Sequence, residues 1–142
     1  MTETQTQPAA RSVVMERTLP HALDKVWRAL TESDLLAVWL LQNDFAAVPG
    51  RSFTLRAPAQ PGWDGLVAGE VLEVEPKRRL SYSWKVGAMD TVVSFTLTPT
   101  EGGVHLRLEH SGFKEHERAN QGGAAYGWRM FLDNLERLTA EL

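Results

Sequence analysis

A chain of 142 residues with 43% apolar and 23% charged side chains suits one globular domain, and a chain of this size buries about two-thirds of its unfolded surface. A net charge of −3 without a basic block argues against nucleic acid as a partner, and the longest purely apolar run, 35–41, is too short to span a bilayer. The polar start MTETQTQPAAR lacks a secretory core, so a cytoplasmic location is expected, and the absence of cysteine excludes disulfides, thiolate catalysis and cysteine metal sites.

Residues 1–11 carry no periodic pattern and are expected to form a mobile tail, leaving 12–142 as a single domain. Residues 12–19 alternate as a strand, with Val13, Met15 and Leu19 on one parity, and Pro20 ends it. Leu23, Val26, Trp27 and Leu30 then recur at helical spacing. Thr31 or Ser33 is the expected cap of a second short helix over 34–41, because a side-chain oxygen there can accept from the free N–H groups of its first turn. Between 45 and 57, Pro49-Gly50 separates two short strands, and 57–65 is a Pro/Gly loop. Four strands follow at 66–75, 79–86, 91–98 and 104–110; their short turn-rich links predict an antiparallel meander. A linker over 111–121 leads to a closing helix.

Two strands show what the sheet faces. Leu80, Tyr82, Trp84 and Val86 oppose Ser81, Ser83 and Lys85, while Val93, Phe95 and Leu97 oppose Val92, Ser94 and Thr96. One face is therefore apolar and needs a cover, and the other is expected to be wet. The last helix can cover it through Trp128, Phe131, Leu132, Leu135, Leu138 and Leu142, with Asp133 and Arg137 as an outer i,i+4 pair. Its first turns carry Gly122, Gly123, Ala124, Ala125 and Gly127, although Gly costs roughly 1 kcal/mol against Ala inside a helix. Either the small residues leave a ligand cavity near Trp84, Trp128 and Phe131, or they allow close helix–sheet contact.

Other candidates for chemistry each have a plainer role open to them. His110 shares the parity of Val104, Leu106 and Leu108; it can orient a ligand's polar group or simply be satisfied by backbone or water. Arg17 shares the parity of Val13 and Met15 and can pair with a ligand carboxylate or with one of the protein's own. Glu70 and Asp90 read as solvated carboxylates, Trp27 as core, and Trp63 as a loop lid or contact residue. His105 and His110 lie on opposite parities, His21 and His116 fall in expected loops, and no HExxH motif is present, so no metal or other cofactor is expected. HSGF lacks a nucleophile elbow and QGGAAYG a phosphate-loop ending; the reading leans away from an enzyme and assigns no catalytic residue.

The order of elements resembles the helix-grip, START-like fold of the SRPBCC superfamily, an α+β architecture with a curved antiparallel sheet wrapped around a long C-terminal helix. Within it the chain resembles the activator of Hsp90 ATPase homologue family. The resemblance rests on ERTLPHALDKVWRALTESDLLAVWL (16–40), PGRSF (49–53), GEVLEVEPKRRLSYSW (69–84), VVSFTLTPTEGGVHLRLEHSGF (92–113) and GWRMFLDNLERL (127–138). Trp39-Leu40 and Gly50-Arg51 depart from a Trp pair and a Gly pair common in that family. The resemblance implies a small apolar or amphipathic ligand between sheet and helix. The candidate wall residues are Trp39, Phe45, Phe53, Tyr82, Trp84, Phe95, His110, Gly127, Trp128 and Phe131, of which Trp39, Trp84 and Trp128 read equally well as core, and the parity of Arg17 and His110 makes them the candidate polar handles. A stress or regulatory role would follow. It implies second a protein partner such as a chaperone, for which the eukaryotic relatives use an additional N-terminal domain that this sequence is not expected to hold. A cavity enzyme such as a cyclase or hydrolase stands third.

Overall fold

Short turns set the sheet. The computed structural model describes residues 11–142; the expected tail lies outside them except for Arg11, whose carbonyl accepts from the Phe113 N–H at 3.3 Å. The elements run β1 (Val13–Leu19), α1 (Leu23–Thr31), α2 (Ser33–Trp39), β2 (Gln42–Asn43), β3 (Ser52–Arg56), β4 (Leu66–Glu75), β5 (Arg79–Val86), β6 (Met89–Thr100) and β7 (Gly103–Ser111). A 3₁₀ turn at Glu115–Glu117 then leads into α3 (Arg118–Glu141). All strand pairs are antiparallel in one sheet ordered β1-β7-β6-β5-β4-β3-β2. The meander is therefore closed by its first strand pairing with its last, Val13 opposite His110 and Leu19 opposite Val104. Gly103 permits this, because a Cβ there would collide with the Leu19 carbonyl.

The apolar stripe of α3 covers the inner face of the sheet. Trp128, Leu132, Leu135, Leu138 and Thr139 are buried, while Phe131 and Leu142 are half-buried at its margin. They meet Leu80, Tyr82, Val93, Phe95, Leu106 and Leu108 in one core, to which α1 and α2 add Val26, Leu30, Leu36 and Trp39. The Trp39 indole N–H donates to the Ala29 carbonyl at 2.7 Å and locks the two short helices together. Trp27 is half-buried against this core.

Several expectations are corrected. Neither Thr31 nor Ser33 caps α2: the Thr31 hydroxyl donates back to the Trp27 carbonyl at 2.8 Å, and the Ser33 hydroxyl donates to Asn43 Oδ1 at 2.8 Å. Only β3 forms in the 45–57 segment, because Asn43 and Asp44 side chains take up backbone N–H groups of Phe45 and Thr54. The outer face is not uniformly wet, since Ser81 and Ser83 are buried; Ser83 Oγ accepts the Glu70 N–H beside the register shift between Val71 and Glu73. The closing helix starts within the expected linker. Glu117, itself buried, accepts the Lys114 N–H at 2.7 Å and winds the turn that feeds α3, so the glycines lie in the helix interior. The outer pair also differs: Asp133 faces Arg17, and Arg137 bonds Asn134.

Candidate functional site

The aromatic residues expected to wall a cavity come together, and they touch one another. Phe45, Phe53 and Tyr82 meet edge-to-face, Phe53 at 5.0 and 5.2 Å from the other two, and Tyr82 leads on to Phe95 at 6.2 Å. Phe95 meets Trp39 at 6.4 Å and Trp128 at 5.9 Å, and Trp128 in turn meets Trp84 at 5.4 Å and Phe131 at 5.6 Å. Edge-to-face pairs at such separations stabilise by about 0.5–1.5 kcal/mol each beyond burial. Gly69 is what seats Phe53: any Cβ there would overlap the Phe53 ring and the Ser83 carbonyl. Burial alone pushes the Tyr82 phenol up from its ordinary value. Gly127 stands apart from the packed rings. It is half-buried, and a Cβ there would meet only Phe131, at an ordinary 3.8 Å.

Neither expected polar handle is free. The Trp128 indole N–H, a donor only, points at His110 Nδ1 at 2.9 Å, so that nitrogen carries no hydrogen. His110 Nε2 therefore holds the proton and donates to Thr91 Oγ1 at 2.7 Å, and the Thr91 hydroxyl donates to the Trp84 carbonyl at 2.7 Å. The chain of donors ends satisfied at every atom. Burial among Trp84, Phe113 and Trp128 lowers the imidazole to about 4, so it stays neutral. Arg17 is likewise committed, 2.9 Å from both Asp133 and Glu136 of α3. Glu70 and Asp90 are exposed, and Trp63, half-buried in its loop, donates to the Leu66 carbonyl at 3.1 Å.

Open space lies instead along the outer flank of the small end of α3. A groove of about 600 Å³ runs between β1 and that half of the helix. Ser12, Val13 and Met15 form its strand wall, and Arg118, Gly122, Ala125 and Arg129 its helix wall. The Gln121 amide ties the two walls by donating to the Ser12 carbonyl at 3.2 Å. Val13, on the strand wall, is the register partner of His110. A Cβ at Gly122 would meet nothing within 4 Å. The sequence reading missed Arg118, Gln121 and Arg129 as site residues. Positions 118, 122, 125 and 129 recur at i, i+4, i+7 and i+11 along one helix row, a signal hidden while the helix was read as starting at Gly122.

A curved antiparallel sheet gripping a C-terminal helix, with two short helices after the first strand, defines a helix-grip protein of START-like class. The chain belongs to the activator of Hsp90 ATPase homolog 1-like protein family, whose model matches residues 20–140. It is similar to the crystal structure of protein MLL2253 from Mesorhizobium loti, with 43% identity and a TM-score of 0.86 over 92% of this chain and 98% of that one. It is also similar to CalU16 from Micromonospora echinospora, at 28% identity and a TM-score of 0.73 over 87% of this chain and 73% of that one. DynU16, a protein of the dynemicin biosynthetic locus, is 26% identical with a TM-score of 0.75, over 91% of this chain and 47% of its own. No curated protein matches the chain. Among the described residues, no helix is long and apolar enough to cross a membrane.

Proposed function

We propose that this chain is a non-catalytic binding module for a small amphipathic molecule, held between the sheet and the C-terminal helix in the groove beside β1. The observation that carries the reading is the groove itself: an open depression of about 600 Å³ between β1 and a stretch of helix kept small. Its family and fold support a binding role of this kind. The inner aromatic layer has its polar atoms already used internally, which leaves the groove as the place for a ligand.

Titration with the fluorescent probe 1-anilinonaphthalene-8-sulfonate tests the proposal. The parent should bind saturably, and Ala125→Leu should abolish binding while leaving the melting temperature near that of the parent. Gly127→Leu should leave binding intact; loss there instead would move the ligand over Trp128 and Phe131, as the sequence reading expected. A parent that binds no probe overturns the reading.

A second reading, contact with an Hsp90-type chaperone, is favoured by the family description. Strong stimulation of a chaperone ATPase by this chain at near-stoichiometric ratio would place it first.

A further inference from the structure

We infer that the groove selects an elongated amphipathic anion, its charged head at the Arg118 end and its apolar body lying along Val13, Met15 and Ala125. This deepens the binding-module reading and rests on it. The protein carries a net charge of −3, yet both ends of the helix wall are arginines. The acidic residues nearest each in the chain are engaged elsewhere. Asp133, one turn beyond Arg129, lies 2.9 Å from Arg17. Glu115, just before Arg118, faces Arg11 at 3.9 Å, and Glu117 is buried against the Lys114 N–H. Among the described residues neither Arg118 nor Arg129 forms an ion pair.

The two ends are not equivalent. Eleven residues of helix place them roughly 16 Å apart along the axis. Beyond the Arg129 end of the helix row, Arg17 faces two carboxylates, Asp133 and Glu136, an excess of negative charge on that side that disfavours an anion. At the other end Ser12 Oγ is buried with no hydrogen-bond partner, a donor that an anion would satisfy. A guanidinium can meet a carboxylate through two parallel N–H bonds, the geometry that makes arginine selective for such groups. The stretch between carries no charged side chain: Val13, Met15, Gly122 and Ala125 line it, and the Gln121 amide is engaged with the Ser12 carbonyl, which suits a chain or ring system rather than a second charge.

Octanoate and its uncharged counterpart 1-octanol provide the comparison, read by titration calorimetry and by amide shifts of Met15, Gly122 and Ala125. Octanoate should bind at least about tenfold more tightly than 1-octanol, as expected for a charge-assisted pair. Arg118→Gln should erase that difference, Arg129→Gln should reduce it less, and Ala125→Leu should abolish both ligands. Both arginines are exposed, so the Gln variants should melt like the parent. Equal binding of octanoate and 1-octanol, unchanged in Arg118→Gln, would refute anion selection and leave the groove reading standing. Inorganic phosphate shifting the same amides as strongly as octanoate would assign the site to a free anion and overturn the amphipathic ligand. Binding of neither probe overturns this inference and the groove reading together.

Discussion

A histidine enclosed by indole and phenyl rings takes up a proton only at a cost, and in His110 the cost has a definite direction. Protonation would put a hydrogen on Nδ1, which faces the Trp128 N–H, so two donors would confront each other in a buried site. The native imidazole is held near 4 against an ordinary 6.5. Above the ordinary value both native and unfolded states are neutral there, and the full stability is present. As the pH falls from 6.5 toward 4 the unfolded chain gains a proton that the native protein does not, and about 3 kcal/mol of stability is lost. Denaturant unfolding between pH 7 and 4 checks this against His110→Gln, whose amide can still accept from Trp128 and donate to Thr91. The parent should lose stability more steeply over that window; parallel curves would show that His110 titrates normally. The parity of His110 was legible in the sequence, but its partner was not, because Trp128 lies on another element and only the packing of α3 against β7 brings the rings together.

Helix α3 shows why element type was more legible than element role. The bounds of β4 and β5 are legible in the sequence, since the turn residues Pro76-Lys77 and Gly87 punctuate them. The helical stripe was equally clear, whereas its start was obscured by glycines that normally mark helix ends. Arg17 was correctly assigned to the inner parity, yet nothing local says that Asp133 and Glu136 wait opposite it, 116 and 119 residues away. The groove has the same character: a strand face and a helix row are each readable, but their juxtaposition is tertiary. The close-contact explanation for the glycines does not hold, because added methyl groups at Gly122 and Gly123 would meet nothing within 4 Å. At Gly127 the nearest atom would be Phe131 Cε2 at 3.8 Å. Gly127→Ala should therefore stabilise the protein by about 0.5–1 kcal/mol through helix propensity. A lowered melting temperature would mean that the site is tighter than this geometry and that the small residues serve packing after all.

At the scale of the whole molecule, the first strand packs against the last strand and the last helix. Strand β1 is the first element and an edge of the sheet, yet it is held by β7 along its full length and by the Arg17 carboxylate pair on α3. It supplies one entire wall of the groove, so a ligand site there requires β1 to stay docked whenever the helix does. Leu19, 1% exposed, anchors its far end opposite Val104. Leu19→Ala should cost about 2–5 kcal/mol, as buried leucine truncations do. If β1 belongs to the same cooperative unit as the core, that loss should appear identically in tryptophan fluorescence, which reports on Trp84 and Trp128, and in far-UV circular dichroism. The two unfolding curves should superimpose in parent and variant, shifted together to lower denaturant. A variant whose fluorescence transition stays at the parent midpoint while part of the circular dichroism signal is lost earlier would show β1 peeling away alone. The groove would then lack its strand wall under conditions where α3 remains packed, and the helix row of Arg118, Gly122, Ala125 and Arg129 would be an open surface rather than one side of a site.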